Sequence, residues 1–221
     1  MDIYKSTIYN GPNIGIYAKV NDDFIFIPNG FTEEKSKKLS EYLQTDVIVT
    51  SVANTSLIGI LTVINNHGIL LPNTASEDEL AMLKKKTDLN VEILDVKHNA
   101  LGNMMSVNDT GGIVSPSLPK EALNRISDVL DIELIQKKIA GFHQVGAVMA
   151  TSPTGGIVHP ETDEEDVKII KNILGVNVEP ATINGGLPFL SSGILANSKS
   201  MVVGSLTNGP EIMMLTRAFI N

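Results

Sequence analysis

NDTGGIVSP at 108–116 and SPTGGIVHP at 152–160 share the block TGGIV and a closing proline. They belong to a longer series. Prolines or their stand-in end five short apolar runs: FIFIP at Pro28, GILLP at Pro72, GIVSP at Pro116, GIVHP at Pro160 and MVVGS at Ser205, at steps of 44, 44, 44 and 45. Upstream glycines follow the same rhythm: Gly15, Gly59, Gly102, Gly146 and Gly193, at steps of 44, 43, 44 and 47. Two independent landmarks with one period mark an array of repeated supersecondary units.

Each unit reads in the same order. A short apolar strand containing the repeat glycine comes first, as in LIGILTVI (57–64) and QVGAVMAT (144–151). A tight turn follows: NDD, NNHG, NDTGG, SPTGG or NSKS. Asp109-Thr110-Gly111-Gly112 reads as a hairpin turn in which glycine takes positive φ. A second strand stops at the proline, which cannot donate to a sheet ladder. An amphipathic helix comes next. Ser76 with Glu79, and Thr162 with Glu165, fit the capping box; Pro119 suits a first helical position; Gly175 suits the residue just past a helix end. VEILDVKHNA (91–100) and IELIQKKIAG (132–141) read as closing strands.

The fifth unit, 191–221, lacks its closing strand. MDIYKSTIYNGP (1–12) looks like one, and its Asn10-Gly11 echoes Asn184-Gly185. The expectation is therefore a single α+β domain, 1–221. It contains five pseudo-symmetric β-β-α-β repeats of about 44 residues (13–56, 57–100, 101–144, 145–190, and 191–221 completed by 1–12), closed into a ring. Closure removes exposed strand edges.

Composition narrows the function. Of 221 residues, 43% are hydrophobic, enough for a substantial core, and the net charge of −8 disfavours wrapping free nucleic acid. The absence of cysteine excludes disulfides, thiolate metal sites and a cysteine nucleophile. No secretory leader is recognisable, and no apolar segment approaches the roughly 20 residues of a membrane span. A soluble, cytoplasmic protein is expected.

Five such units in a ring resemble the pentein, or α/β-propeller, fold. ALGNMMSVND (100–109), NNHGILLPN (65–73), GGIVHP (155–160) and TNGPE (207–211) together resemble the translation initiation factor 6 family of archaea and eukaryotes. The likeness runs the full length. The chain ends soon after the fifth helix without a long polar tail, which looks like the archaeal branch. The resemblance implies a factor that binds the joining face of the large ribosomal subunit and sterically keeps the small subunit away, and that in eukaryotes also serves large-subunit biogenesis. It implies a basic ribosomal protein near the sarcin–ricin loop as main partner, a minor rRNA contact, no membrane and no cofactor. A monomer is expected. It also implies a ribosome-binding set: Asn103 and Gly102 in the Leu-Gly-Asn motif, Asn65 and His67 before the turn glycine, and Ile60 and Val148. At the last two, eukaryotic members tend to carry arginine and, nearby, an aromatic residue. Asn103 stands out among the units as a polar amide beside its glycine, where Ile60 and Ala147 stand elsewhere.

Other chemistry finds little support. Pentein relatives include guanidine-modifying enzymes that use a cysteine nucleophile, and this chain has none. No Gly-x-Ser-x-Gly elbow and no P-loop lysine is present. His67, His98, His143 and His159 follow no metal-ligand spacing; His159 reads as structural, and His67 as a binding residue or a turn former. The acidic run 161–166 suits a helix N-terminus. Lys84-Lys85-Lys86 reads as the last turn of a helix, with a local RNA contact as the alternative. Met104-Met105 in a strand and Met213-Met214 in a helix read as core. Two other function classes stay open: an enzyme working in a central channel, and a general protein-interaction scaffold.

Overall fold

The computed structural model describes residues 1–220. It contains five three-stranded mixed sheets. The first strands are Lys19–Val20, Val63–Ile64, Met105–Val107, Met149–Ser152 and Ile194–Ala196. The second strands are Phe24–Ile27, Gly68–Pro72, Gly111–Val114, Gly155–Val158 and Ser200–Gly204. The third strands are Asp46–Val49, Asn90–Leu94, Glu133–Gln136, Val178–Pro180 and, for the fifth sheet, Asp2–Ser6. Each first strand runs antiparallel to its second, and each third runs parallel to it. The N-terminal strand completes the fifth sheet in unbroken register, from Asp2 opposite Ser200 to Ser6 opposite Gly204. The closing strands are shorter than the sequence suggests. Their downstream residues leave the sheet for tight turns such as Tyr9-Asn10, Ala53-Asn54 and Asn184-Gly185, all with positive φ.

A long helix follows each second strand: Glu33–Leu43, Glu77–Lys86, Lys120–Leu130, Glu164–Leu174 and Gly209–Phe219. Ser76 and Glu79 form the expected capping box, and Asn208 with Glu211 forms a second. Thr162 does not cap: Asp163 does, accepting from the Asp166 amide, and the Thr162 hydroxyl is buried without a partner. A carboxylate accepts that bond and favours the helix dipole, so it displaces the hydroxyl one residue upstream. Pro119 is the extended residue just before its helix rather than the first helical one. Gly175 ends its helix in the left-handed conformation, as expected.

The turn glycines also correct the sequence reading. Gly111 and Gly112 lie in a strand without positive φ. A Cβ on Gly111 would stand 2.0 Å from the Ile173 carbonyl, and one on Gly155 2.2 Å from that of Ala218. These glycines let the next unit's helix seat its backbone on the strand. The repeat glycines are displaced as well. Gly15, Gly59 and Gly102 sit in single helical turns, Ile14–Tyr17, Ile58–Leu61 and Leu101–Met104, ahead of the first strand rather than within it. Gly193 ends a 3-10 turn, Leu190–Gly193.

Five apolar clusters form the core, and each spans two units. Val63 and Leu70 pack with Leu118 and Ile126; Ile113 with Met149 and Ile170; Ile157 with Met201 and Leu215. Phe26 and Ile48 pack with Leu71 and Leu83. Leu195 and Val202 of the fifth unit pack with Ile25 and Leu39 of the first. Met104 and Met105 are core, but Met213 is 70% exposed, because it lies on the outer face of its helix. Among the described residues no helix is long and apolar enough to cross a membrane.

Candidate functional site

The strand order gives the molecule two distinct ends. At one, third strands turn back through tight turns into the helical turns that carry the repeat glycines. There the backbones nest. A Cβ on Gly59 would stand 1.8 Å from the Gly15 carbonyl, one on Gly102 2.2 Å from that of Gly59, and one on Gly146 2.2 Å from that of Gly102. The Gly15 position meets Ser191 O at 1.9 Å in the same way. Gly146 also donates its amide to Asn103 O at 3.0 Å. This close approach requires no side chain, so the neighbouring residues are left to vary.

At the other end, the turns between first and second strands interlock through side chains. Asn65 is 4% exposed. Its Nδ2 donates to Asn108 O (3.2 Å) and Leu130 O (2.7 Å), and its Oδ1 accepts from the amides of His67 (3.0 Å) and Gly68 (2.9 Å). Asn108 repeats this with Ser152 O, Leu174 O and the amides of Thr110 and Gly111. Asn197 does so with Asn21 O, Leu43 O and the amides of Lys199 and Ser200. Asn21 donates to Asn65 O. Asn65, Asn108 and Asn197 each close their own turn, reach the next turn and satisfy a carbonyl at the next helix's C-terminus, one of the groups a helix leaves orphaned.

These two ends divide the residues singled out from sequence. Gly102, Asn103 and Ile60 come together at the glycine end; Gly102 is buried, while Asn103 and Ile60 are half-buried. Asn103 lies in the helical turn Leu101–Met104, and its side-chain amide meets no partner among the described residues. Val148 follows the Gly146 turn but is fully buried with Ile113, Ile139 and Ile170. Asn65 and His67 are at the opposite end, Asn65 consumed by the interlock and His67 exposed.

The glycine end also carries residues that the repeat pattern did not single out. Tyr9, Val49, Leu57, Leu187 and Phe189 are 36–49% exposed. Val49 ends its third strand, and the other four lie in the segments between a third strand and the next glycine turn. Leu57 and Phe189 precede their helical turns directly, and Phe189 meets Phe142 edge-on with ring centroids 6.2 Å apart. Exposed apolar groups of this kind are the material from which interaction surfaces are built. Leu187 and Phe189 stand outside the strand and helix patterns of the sequence, whereas Leu57 and Tyr9 were read as strand residues and gave no separate signal.

Two buried carboxylates brace this end. Glu79 accepts from Ser51 Oγ (2.6 Å) and from the amides of Ala53 (2.9 Å), Asn54 (3.1 Å) and Ser76 (2.9 Å). Glu211 accepts from Thr182 Oγ1 and the amides of Gly185, Gly186 and Asn208. Burial works to raise both carboxyls, but the hydrogen bonds outweigh it and hold both below the usual range. Each glutamate thus ties a positive-φ turn to the following helix.

Little here suggests chemistry. Among the described residues no three His, Asp or Glu gather as a metal site. His159 is 5% exposed, with Phe142 beside it and the Glu161 amide donating to its Nδ1. His143 shares a hydrogen bond with Ser117. A central cavity is lined by all five units, and Lys19 is its one ionisable lining residue.

A family model described as the eIF-6 family matches residues 3–218. The chain belongs to the eIF-6 family. It is 60% identical over 219 residues to translation initiation factor 6 of Cenarchaeum symbiosum (strain A), covering 99% of each chain. It is 56% identical over 221 residues to that of Nitrosopumilus maritimus (strain SCM1), covering 100% of each. With that of Staphylothermus marinus it shares 35% over 220 residues, 98% of this chain and 97% of the other. The eIF-6 likeness therefore spans all five units of the chain.

Proposed function

We propose that the chain is a translation factor that binds the large ribosomal subunit and sterically prevents its association with the small subunit, without catalysing a reaction. The observation that carries this reading is kinship with translation initiation factor 6 proteins across 99–100% of the chain. A role in large-subunit biogenesis is compatible with the same binding.

The binding face in this reading is the glycine end, with Asn103, Gly102 and Ile60 at its centre and Leu57 and Phe189 beside them. A half-buried amide without an internal partner, set among exposed apolar groups, suits a protein surface: the apolar groups supply burial and the amide supplies register. The partner is a basic ribosomal protein near the sarcin–ricin loop, with minor rRNA contact. The charge of −8 would speed that encounter. The architecture is read as one pentein domain whose five units close into a ring. Support comes from the first unit's shared core with the fifth and the N-terminal strand's place in the fifth sheet. A rigid block of this kind occupies space the small subunit needs.

Sedimentation of purified ribosomal subunits tests the function. Added protein should shift joined ribosomes toward free subunits and co-sediment with the large one. An unchanged joined fraction at saturating protein refutes it.

A further inference from the structure

The central cavity is lined by the first strands of all five units and by the glycine turns of the first, fourth and fifth, and has a volume of about 70 Å³. Its walls include Val63, Met149 and Ile194, the hydroxyls of Ser106 and Thr151, and Lys19. Lys19 is half-buried. Among the described residues, no carboxylate lies in ion-pair range of it, and no other residue lining the cavity is titratable. A charge taken out of bulk water needs a compensating partner, and the protein itself supplies none.

We propose that the central cavity binds one small monovalent inorganic anion, of the halide class, against the Lys19 ammonium. Size and charge set the class. A cavity holds one water at roughly 10–15 Å³ on the same scale, so this one takes an ion with its residual hydration but not an organic metabolite. One cation balances one negative charge; a divalent phosphate or sulfate would be left half-neutralised. The Ser106 hydroxyl has only Thr151 Oγ1 as side-chain partner, at 3.3 Å. Thr151 itself donates to Val107 O at 2.7 Å. With the Thr151 proton on Val107 O, Ser106 is the donor in the 3.3 Å contact with Thr151 Oγ1, and it reaches the ion by exchanging that long bond for one to the anion. Burial pushes the Lys19 amine down to about 8, so it is mostly charged at neutral pH and loses its charge just above. The inference stands apart from ribosome binding.

The test is the linewidth of the chloride NMR signal with the full chain, ionic strength being held constant with gluconate. Exchange with a protein site broadens that line. The unaltered protein should broaden it at about pH 6.5 and lose the excess by about pH 9.5, on either side of the Lys19 midpoint near 8. Lys19→Met should abolish the excess, and Lys19→Arg should retain it at the higher pH, because guanidinium does not titrate there. No excess broadening, or an excess that survives both Lys19→Met and alkaline pH, overturns the proposal. If Lys19→Met does not fold, the pH series and Lys19→Arg decide the matter.

Discussion

The two ends of this molecule solve one problem, joining unit to unit, in opposite ways. At the turn end the joints are made by side chains: Asn21, Asn65, Asn108 and Asn197 spend their amides on neighbouring carbonyls and on their own turns. At the glycine end the joints are made by backbone against backbone, with Gly59 nested on Gly15 and Gly102 on Gly59. A joint made by side chains leaves those residues nothing to offer a partner. A joint made by backbone frees the adjacent side chains, and there Ile60, Asn103 and the exposed Leu57 and Phe189 are found. The division of labour explains why polar residues repeat faithfully at one end while character changes from unit to unit at the other.

The sharpest way to break the glycine end is to add one methyl group. In Gly59→Ala the Cβ would stand 1.8 Å from the Gly15 carbonyl and 2.8 Å from that of Ala18. Both obstacles are backbone and cannot rotate away. A loss above about 4 kcal/mol is expected, within the range reserved for gross overpacking or strain. It would appear as loss of cooperative thermal unfolding by circular dichroism. The matching change at the turn end is Asn108→Ala. It strands the carbonyls of Ser152 and Leu174 and the amides of Thr110 and Gly111, and should cost about 3 kcal/mol in urea unfolding. A loss below about 1 kcal/mol there would mean that water replaces the amide and the interlock is incidental.

Acid should loosen the glycine end selectively. Glu79 and Glu211 are held below the ordinary carboxyl value of 4.5, the hydrogen bonds from Ser51, Ser76, Asn208 and the turn amides outweighing the opposing effect of burial. A carboxyl depressed in the folded state stabilises fully above its unfolded value, and that contribution is lost as pH falls through the folded one. Stability should therefore decline below about pH 4.5. In Glu79→Gln it should be lower by about 2 kcal/mol at neutral pH and less steep in acid. Amide exchange of Ala53 and Asn54, followed by NMR, should accelerate before that of the strands. Equal slopes in the two proteins would show that the carboxylate is not what holds the turn.

Much of this was legible in the sequence because the period was. The prolines and glycines located every unit, and the echo between Asn10-Gly11 and Asn184-Gly185 placed the N-terminal strand in the fifth sheet. What the letters could not reveal was why the glycines recur. A strand glycine with positive φ and one that admits a neighbouring helix look alike in one dimension; only the 2.0 Å clash at Gly111 separates them. The same limit hid the division between ends. Asn65 and Asn103 are both asparagines near a turn, yet one is buried with its hydrogen bonds satisfied and the other is not. Leu57 and Phe189 escaped notice because exposure depends on what packs above them, which is a property of neighbouring units and not of the local pattern.

The smallest structural change should be the most telling for binding. Asn103→Glu alters a half-buried residue in a helical turn, and its effect on unfolding should stay within about 0.5 kcal/mol, as for surface changes that break no internal contact. If the glycine end is the binding face, affinity for the large subunit should nonetheless fall at least about tenfold, or ~1.4 kcal/mol, since a charge would be desolvated where an amide was. His67→Ala is the counterpart at the turn end: also exposed, also mild in stability, and expected to leave affinity unchanged. Both are measured by co-sedimentation with purified large subunits across a concentration series. Should His67→Ala weaken binding and Asn103→Glu not, the face is at the turn end, and the partner must contact the asparagine turns from outside. Should both weaken it, a single flat partner surface is excluded and the contact must wrap the edge of the molecule.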